Sequence, residues 1–275
     1  MWRPTLQQSI LMLQEGQWSS GRVGRRACPV TTLLSMEQSR GLMARAIAQS
    51  GAALHTLPDE PGRTVGRRLA ERLGVEPTRA ALALVEPAVV ARAVRELVED
   101  VQGTPDPVRW ESLALTLTPF APSVDGEVPA AHPLDAIRSG AGASVPLLTG
   151  WNRDEARFFM VASGAIDAVD DAALRHGARG YGLPDGGLEV YRRNRPGASP
   201  GDVLAAILGD WMFAVPAIRV AEARADPAVT RFVRDGDPGW GAHRPDDRRV
   251  GVLVDGVREE TDPAGAERRA WDGVC

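Results

Sequence analysis

Two short apolar runs interrupt longer helical patterns along this chain. Residues 44–49 read ARAIAQ and are followed by Ser50 and Gly51, and residues 145–150 read VPLLTG and end in a glycine. A short apolar run bounded by turn residues is typical of a strand buried inside a sheet. We therefore predict two buried strands, one at each run.

Helical patterns lie on both sides of these runs. Residues 64–73 place Val65, Leu69 and Leu73 on one stripe, as in an amphipathic helix. The pattern predicts helices or helical turns at residues 31–43, 64–73, 77–84, 87–101, 170–179, 186–193, 199–225 and 264–271, and a further strand at 250–254. Helices interleaved with few short buried strands indicate an α/β fold with a mostly parallel sheet.

Composition places the chain among soluble globular proteins. Of its 275 residues, 44% are hydrophobic and 25% are charged, and the net charge is -4. The acidic balance argues against a nucleic-acid partner, which would favour a basic face. The two cysteines, Cys28 and Cys275, are far apart, which predicts neither a disulfide framework nor a zinc cluster.

We expect no membrane or export signal. The longest apolar stretch, residues 203–220, is interrupted by Asp210, Pro216 and Arg219, so we expect it not to span a bilayer. The first residues lack the charged segment and apolar core of a signal peptide. These features predict a cytoplasmic protein without a membrane partner.

The absence of lysine excludes several kinds of chemistry. All 32 basic residues are arginine. A phosphate-binding loop of the G-x-x-x-x-G-K-[ST] type, a pyridoxal Schiff base and a protein kinase each need a lysine side chain. None of these classes fits the chain.

Two carboxylates, Asp154 and Glu155, follow the predicted strand at residues 145–150. In open α/β sheets, functional groups gather beyond the carboxyl ends of the strands. A carboxylate there can orient a histidine imidazole as the third member of a nucleophile–base–acid triad. The alternative interpretation is that both residues only begin a helix at residue 156, because acidic groups are favoured by the helix dipole.

Residues 146–155 resemble the acid-bearing motif of the type-B carboxylesterase family, which has the α/β-hydrolase fold. In that family a strand, a glycine, an asparagine and an Asp-Glu pair follow one another. Further ordered blocks are similar to bacterial members, at residues 32–52, 120–132, 191–225 and 232–240 with the tail to 273. The resemblance covers about residues 30–225 and 230–273 and implies a partial, incomplete α/β-hydrolase fold.

The resemblance also implies an activity and its residues. Family members cleave carboxylic esters with a Ser–Glu–His triad, without a cofactor, and the expected partner is a small-molecule ester. No pair of histidines has helical metal spacing, so we expect no metal site. Glu155 matches the acid of the triad, and Asp154 is its neighbour. Trp211 and Phe213 are expected in the core, and by resemblance they would also line the acyl pocket.

The chain departs from the family where the nucleophile is expected. The family elbow reads Gly-Glu-Ser-Ala-Gly, but residues 21–26 read GRVGRR and contain no serine. The codons for residues 21–25 can be written so that a shift of one base restores Gly-Glu-Ser-Ala-Gly. We hypothesise that residues 1–29 are a non-family segment translated out of frame, before a partial type-B domain at 30–275.

The family's catalytic histidine is also missing. Its Gly-x-x-His-x-x-Glu stretch follows the helix that matches residues 199–225, and here a deletion is predicted near 225–230. We expect surface positions for the four histidines, His55, His132, His176 and His243.

One other stretch formally fits a nucleophile elbow. Residues 197–201 read GASPG, but Pro200 has no N–H for an oxyanion hole. Ser199 is therefore predicted to cap the next helix.

Taken with these departures, the sequence predicts a carboxylic-ester hydrolase by family with little or no activity of its own. Two alternatives stay open. One is a non-catalytic binding protein on a hydrolase scaffold, and the other is an unselected gene remnant, which we rank above the binding protein.

Overall fold

A computed structural model describes residues 27–103, 110, 119–224, 249–253, 257–261 and 265–274. Eleven α-helices are assigned within these residues: α1 Ala27–Ser35, α2 Asp59–Leu73, α3 Arg79–Leu82, α4 Pro87–Gly103, α5 Pro133–Arg138, α6 Glu155–Ala162, α7 Asp171–Gly180, α8 Gly187–Asn194, α9 Pro200–Gly209, α10 Val215–Ala223 and α11 Gly265–Ala270. The strands are β1 Ala46–Gln49, β2 Leu57–Pro58, β3 Ser123–Val124, β4 Leu147–Gly150, β5 Arg249–Leu253 and β6 Val257–Thr261.

The described residues fall into two units. The first contains those of residues 27–54 and 132–274, and the second those of residues 55–131. The candidate site residues all belong to the first unit.

The first unit is built around strands β1 and β4, which lie side by side and run parallel. Ala46 pairs with Leu147, and the register continues to Gln49, which pairs with Gly150. Ala46 and Ala48 are buried while the residues between and after them are exposed, so one face of β1 packs on the core. The core beside these strands consists of Val30, Leu34, Ala46, Ala48, Ala52, Ala53, Leu134, Ile137, Val145, Leu147 and Val220.

A second core cluster of this unit lies among helices α7 to α11. Its buried members are Leu174, Ala178, Leu183, Tyr191, Val203, Ile207, Val215 and Trp271. Helices α9 and α10 are continuous through a π-helical segment, Asp210–Ala214. The sequence predicted one regular helix over residues 199–225, whereas the structure contains a π-helical segment in its middle.

In the described part of the chain, one helix, Pro200–Ala223, is long and apolar enough to cross a membrane. The sequence analysis expected this stretch not to span a bilayer, but the length and composition of the helix alone do not exclude it. However, 56% of its most apolar window is buried in this fold, as in the central helix of a globular protein.

The second unit combines helices α2 and α4 with a short parallel pair of strands. Leu57 pairs with Ser123 and Pro58 with Val124. Val65 and Leu69 of α2 are buried in its core, as the stripe in the sequence predicted, and Leu73 packs against that core. Helix α3 begins two residues later than predicted, because the Thr78 side chain accepts a hydrogen bond from the Ala81 N–H at 3.1 Å and so caps its start. It ends at Leu82, two residues before the predicted end.

The ends of several other elements also differ from the sequence pattern. Helix α1 ends at Ser35, and a short 3₁₀ turn, Glu37–Ser39, follows it. The predicted strand at 250–254 is present as β5, and it pairs with β6 in an antiparallel hairpin.

Candidate active site

Glu155 lies at the carboxyl-terminal edge of the β1–β4 pair. It is the first residue of α6, which begins five residues after Gly150, the last residue of β4, and it is only 5% exposed. Buried carboxylates are rare unless their oxygens have partners. The position is the one at which parallel sheets collect functional groups.

Asn152 holds one oxygen of this carboxylate. Glu155 Oε2 accepts a hydrogen bond from the backbone N–H of Asn152 at 3.2 Å and from its Nδ2 at 3.4 Å. The other oxygen, Oε1, is buried and has no hydrogen-bond partner among the described residues. One side of the carboxylate is thus fixed, and the other is available to a donor.

The local sequence explains how the carboxyl group reaches this place. Asp154 stands at the N-cap of α6, but its side chain makes no capping hydrogen bond. Glu155 instead turns back to the N–H of Asn152, which resembles the return contact of a capping box. Both interpretations of the sequence, triad acid and helix-start residue, are compatible with this geometry.

Ser50 occupies the corresponding position at the end of β1. Its N–H donates to the carbonyl oxygen of Gly150 at 2.9 Å, so the chain after β1 stays beside the chain after β4. Ser50 has a φ of 65°, in the left-handed region that costs a non-glycine residue about 1–2 kcal/mol. A second buried oxygen, Thr149 Oγ1, also lies at this edge without a partner among the described residues.

Trp211 and Phe213, the predicted pocket residues, both lie in the π-helical segment. The Trp211 ring is 4.9 Å from the ring of Tyr181, measured between centroids, and the two planes are tilted by 33°. Phe213 is only 2% exposed. π turns are frequent at functional sites, and the role of both residues in an acyl pocket stays a prediction.

Sequence reasoning missed an exposed aromatic pair on α6. Phe158 and Phe159 follow Glu155 by three and four residues, and they are 66% and 39% exposed. Their rings pack edge to face with centroids 5.4 Å apart. The sequence shows the two adjacent phenylalanines, but their spacing alone does not indicate that both are exposed.

Of the other candidate groups, Ser199 caps α9 as predicted, because its side chain accepts the Asp202 N–H at 3.1 Å. His176 is exposed as expected. The expectation was wrong for His55 and His132, which are half-buried, and His132 Nε2 lies 3.3 Å from the Leu54 carbonyl oxygen. His132 is the N-cap residue of α5 and precedes Pro133, but its side chain makes no capping hydrogen bond.

Several predictions fall on parts of the chain outside the described residues. These are the altered elbow at 21–26, the deletion near 225–230, the block at 232–240 and His243. Within the described residues, no group of three or more His, Cys, Asp or Glu side chains is arranged to hold a metal ion.

The fold is shared with solved α/β hydrolases. A carboxylesterase of Geobacillus stearothermophilus, EST55, superposes with a TM-score of 0.70 at 21% identity over 88% of this chain and 61% of its own. A PNB esterase superposes with a TM-score of 0.59 at 18% identity over 88% of this chain and 60% of its own. The predicted fold class, a partial α/β-hydrolase fold, is therefore confirmed.

A sequence profile of the carboxylesterase family matches residues 26–179, and the chain belongs to this family. The para-nitrobenzyl esterase of Bacillus subtilis (strain 168) is 25% identical over 208 residues, which are 74% of this chain and 39% of that protein. Cholinesterase 2 of Branchiostoma lanceolatum is 28% identical over 142 residues, or 49% of this chain and 38% of that protein. The chain therefore spans about two fifths of the length of these relatives, and the predicted resemblance to type-B carboxylesterases is confirmed.

Proposed function

We propose that this chain carries the acid-bearing part of a carboxylic-ester hydrolase site, with Glu155 as the acid of a Ser–Glu–His triad. The observation that carries the proposal is the Glu155 carboxylate itself. It is buried at the edge of the sheet, one oxygen is held by Asn152, and the other has no partner among the described residues. A relative at 25% identity is a para-nitrobenzyl esterase, which supports ester substrates for this chain too.

Such a carboxylate orients an imidazole ring and stabilises its protonated form. Oε1 of Glu155 would accept a ring N–H, which fixes the tautomer whose other nitrogen is free to take a proton. That nitrogen acts as the general base on the serine hydroxyl and later protonates the leaving alcohol. The carboxylate stabilises the imidazolium that forms in between, and no cofactor takes part in these steps.

The expected substrate is a small carboxylic ester with an apolar part. The exposed rings of Phe158 and Phe159 stand one helical turn from Glu155 and offer an apolar surface to such a group. By resemblance, Trp211 and Phe213 would contribute to the acyl side. Apolar walls with few polar groups are typical of small-molecule sites.

We further propose that the chain as given hydrolyses esters slowly or not at all. Its sequence has no serine at 21–26 and no Gly-x-x-His-x-x-Glu stretch after residue 224. Loss of triad members leaves only the residual catalysis that comes from binding and the oxyanion hole, a factor of about 10³–10⁴ over water. Resequencing the gene at codons 15–30 tests the cause, since an undisturbed frame without the shifted codons overturns the hypothesis of out-of-frame translation.

Hydrolysis of p-nitrophenyl butyrate by the purified full chain tests the impairment, and any turnover above the blank also tests the role of Glu155. Glu155→Ala is compared with Asp154→Ala, which removes the adjacent exposed carboxylate. Turnover equal to the buffer blank supports the impairment. Turnover above the blank that Glu155→Ala alone abolishes supports the role of Glu155 and overturns the impairment, and turnover that survives Glu155→Ala overturns both.

A further inference from the structure

A chain of hydrogen bonds among buried side chains joins three separate elements of the first unit. Tyr191 of α8 is fully buried, and its hydroxyl donates to the carboxylate of Asp210 in the π-helical segment. The indole N–H of Trp271, just after α11, donates to the same hydroxyl oxygen at 2.8 Å. Trp271 is itself fully buried, so its side chain is part of the core of this unit.

An ion pair connects the same elements a second time. Arg195, at the end of α8, donates from Nη1 to Oε1 of Glu267 in α11 at 2.7 Å, and the Glu267 side chain is only 9% exposed. The guanidinium carbon of Arg195 lies 5.4 Å from the centre of the Tyr191 ring. The Trp271 hydrogen bond and the Glu267 ion pair therefore both hold residues 265–274 to α8.

The charges around Asp210 do not balance. The carboxyl faces Tyr191 and Arg195 from the α8 side and Glu267 from α11. Arg219 and Glu222 of α10 pair with each other, and Arg219 also pairs with Asp272. Arg268 of α11 lies 3.8 Å from Glu222 and 3.9 Å from Asp272. Among the described groups whose charges act on Asp210, Arg195 is the cation and Glu267 is a second carboxylate.

Protein atoms surround the Asp210 carboxyl, although part of the residue keeps contact with solvent. Burial raises the pKa of Asp210 to about 6, and the Glu267 charge acts in the same direction, while the Tyr191 hydrogen bond and Arg195 oppose the rise. Burial also raises the pKa of Tyr191, so this hydroxyl stays a donor at neutral pH. Asp210 is thus the group of the cluster that changes charge near neutrality.

We propose that residues 265–274 form a latch whose docking on α8 is controlled by the ionisation of Asp210. The latch is tight while the carboxyl is neutral and looser once it is charged. This device is independent of the ester chemistry of Glu155.

The direction of the pH dependence follows from the linkage between proton binding by Asp210 and docking of residues 265–274. The docked state holds the proton more tightly than an opened state in which water restores the ordinary pKa of an aspartate, near 3.8. Docking is therefore favoured fully below pH 4 and weakens as the pH rises through about 6. Between pH 5 and pH 8 these two values give about a tenfold rise in the opening equilibrium, and partial exposure of Asp210 makes this an upper figure.

Hydrogen exchange of the full chain, followed by mass spectrometry at pH 5 and pH 8, tests the latch. Rates are divided by the intrinsic rate at each pH to give protection factors. We expect protection of residues 265–274 to fall up to tenfold from pH 5 to pH 8, while protection of α7, outside the cluster, changes less. Equal protection of residues 265–274 at both pH values overturns the proposal.

Two variants assign the effect to Asp210. Asp210→Asn should remove the pH dependence, and the matched control Asp185→Asn, at an exposed loop carboxylate, should retain it. If Asp210→Asn does not fold, Tyr191→Phe provides a second test. The Tyr191 hydroxyl lowers the pKa of Asp210, so its loss should move the midpoint of the pH-dependent change in protection to higher pH. A pH response of residues 265–274 that persists in Asp210→Asn, or a midpoint unmoved in Tyr191→Phe, contradicts the mechanism.

Discussion

The Asn152 side chain and backbone both donate to the same oxygen of the Glu155 carboxylate, at 3.4 Å and 3.2 Å. Two donors on one oxygen fix the plane of the carboxyl group and leave Oε1 for a different partner. Hydrogen bonds to an ionised group are stronger than those between neutral groups. Asn152 thus positions the group on which the proposed chemistry depends.

Replacing Asn152 should test the strength of this contact. Asn152→Ala removes one of the two donors, and we expect the free energy of unfolding in urea to fall by about 1 kcal/mol. Asn152→Asp should cost more at neutral pH, because it places a second negative charge beside Glu155. Arg153→Ala, at the exposed neighbouring position, serves as the control, and equal losses in Asn152→Ala and Arg153→Ala would speak against a specific role.

The sequence was sufficient for the elements around the site because their signals are local. The apolar runs at 44–49 and 145–150 contain β1 and β4, and the Asp-Glu pair after the second run is where the buried carboxylate lies. The cap at Ser199 followed from Pro200 and Asp202 alone. Each of these features is encoded within a few neighbouring residues.

Features that depend on distant residues were not predicted. The π turn at 210–214 inserts one residue into an otherwise regular helical pattern, and nothing in the local sequence demands it. The Tyr191–Asp210–Trp271 chain joins residues up to 80 positions apart. The partial burial of His132 likewise depends on tertiary packing, which periodicity does not describe.

Two glycines of α9 give opposite predictions for the same substitution. A Cβ at Gly201 would lie 2.0 Å from the Ile166 carbonyl oxygen, whereas at Gly209 its nearest neighbour is the Ala156 Cβ at 3.7 Å. Gly201→Ala should lower the free energy of unfolding by more than about 2 kcal/mol, since backbone has to move. Gly209→Ala should raise it by about 0.5–1 kcal/mol through better helix propensity.

Urea denaturation of the two glycine variants side by side checks this contrast. Both changes add one methyl group to the same helix, so general effects of size cancel. A destabilised Gly209→Ala would mean that the end of α9 cannot accept a methyl group before the π turn. An unchanged Gly201→Ala would contradict the close packing of α9 on the 3₁₀ turn at Ala165–Ala168.

Substitutions of Ser199 distinguish a role in capping α9 from a catalytic role. Its side chain accepts the Asp202 N–H at 3.1 Å, and its hydroxyl also contacts the Asp202 carboxylate at 2.9 Å. Ser199→Ala should reduce the free energy of unfolding by about 1 kcal/mol, and Ser199→Asn should restore most of it. Any p-nitrophenyl ester turnover should be unchanged in both variants, and a selective loss of turnover in Ser199→Ala would return this serine to the list of nucleophile candidates.

Arg224 connects the end of α10 to the segment that enters β4. Its Nη1 donates to the Gly142 carbonyl oxygen at 2.9 Å and its Nη2 to the Val145 carbonyl oxygen at 2.5 Å. The partly buried guanidinium therefore supports the start of the strand that ends before Glu155. Burial lowers the pKa of Arg224, yet an arginine remains charged at any working pH.

Truncation of Arg224 should leave both carbonyl groups without these donors. We expect Arg224→Ala to lower the free energy of unfolding by about 2 kcal/mol, and Arg224→Lys to recover only part of the loss because an ammonium group cannot reach both oxygens in the same fork. Arg193→Ala, at an exposed arginine of α8, is the matched control and should change stability by less than about 0.5 kcal/mol. Arg224→Met keeps the apolar stem without the donors, so a Met variant as stable as the native chain would show that packing, and not the pair of hydrogen bonds, holds this end of β4.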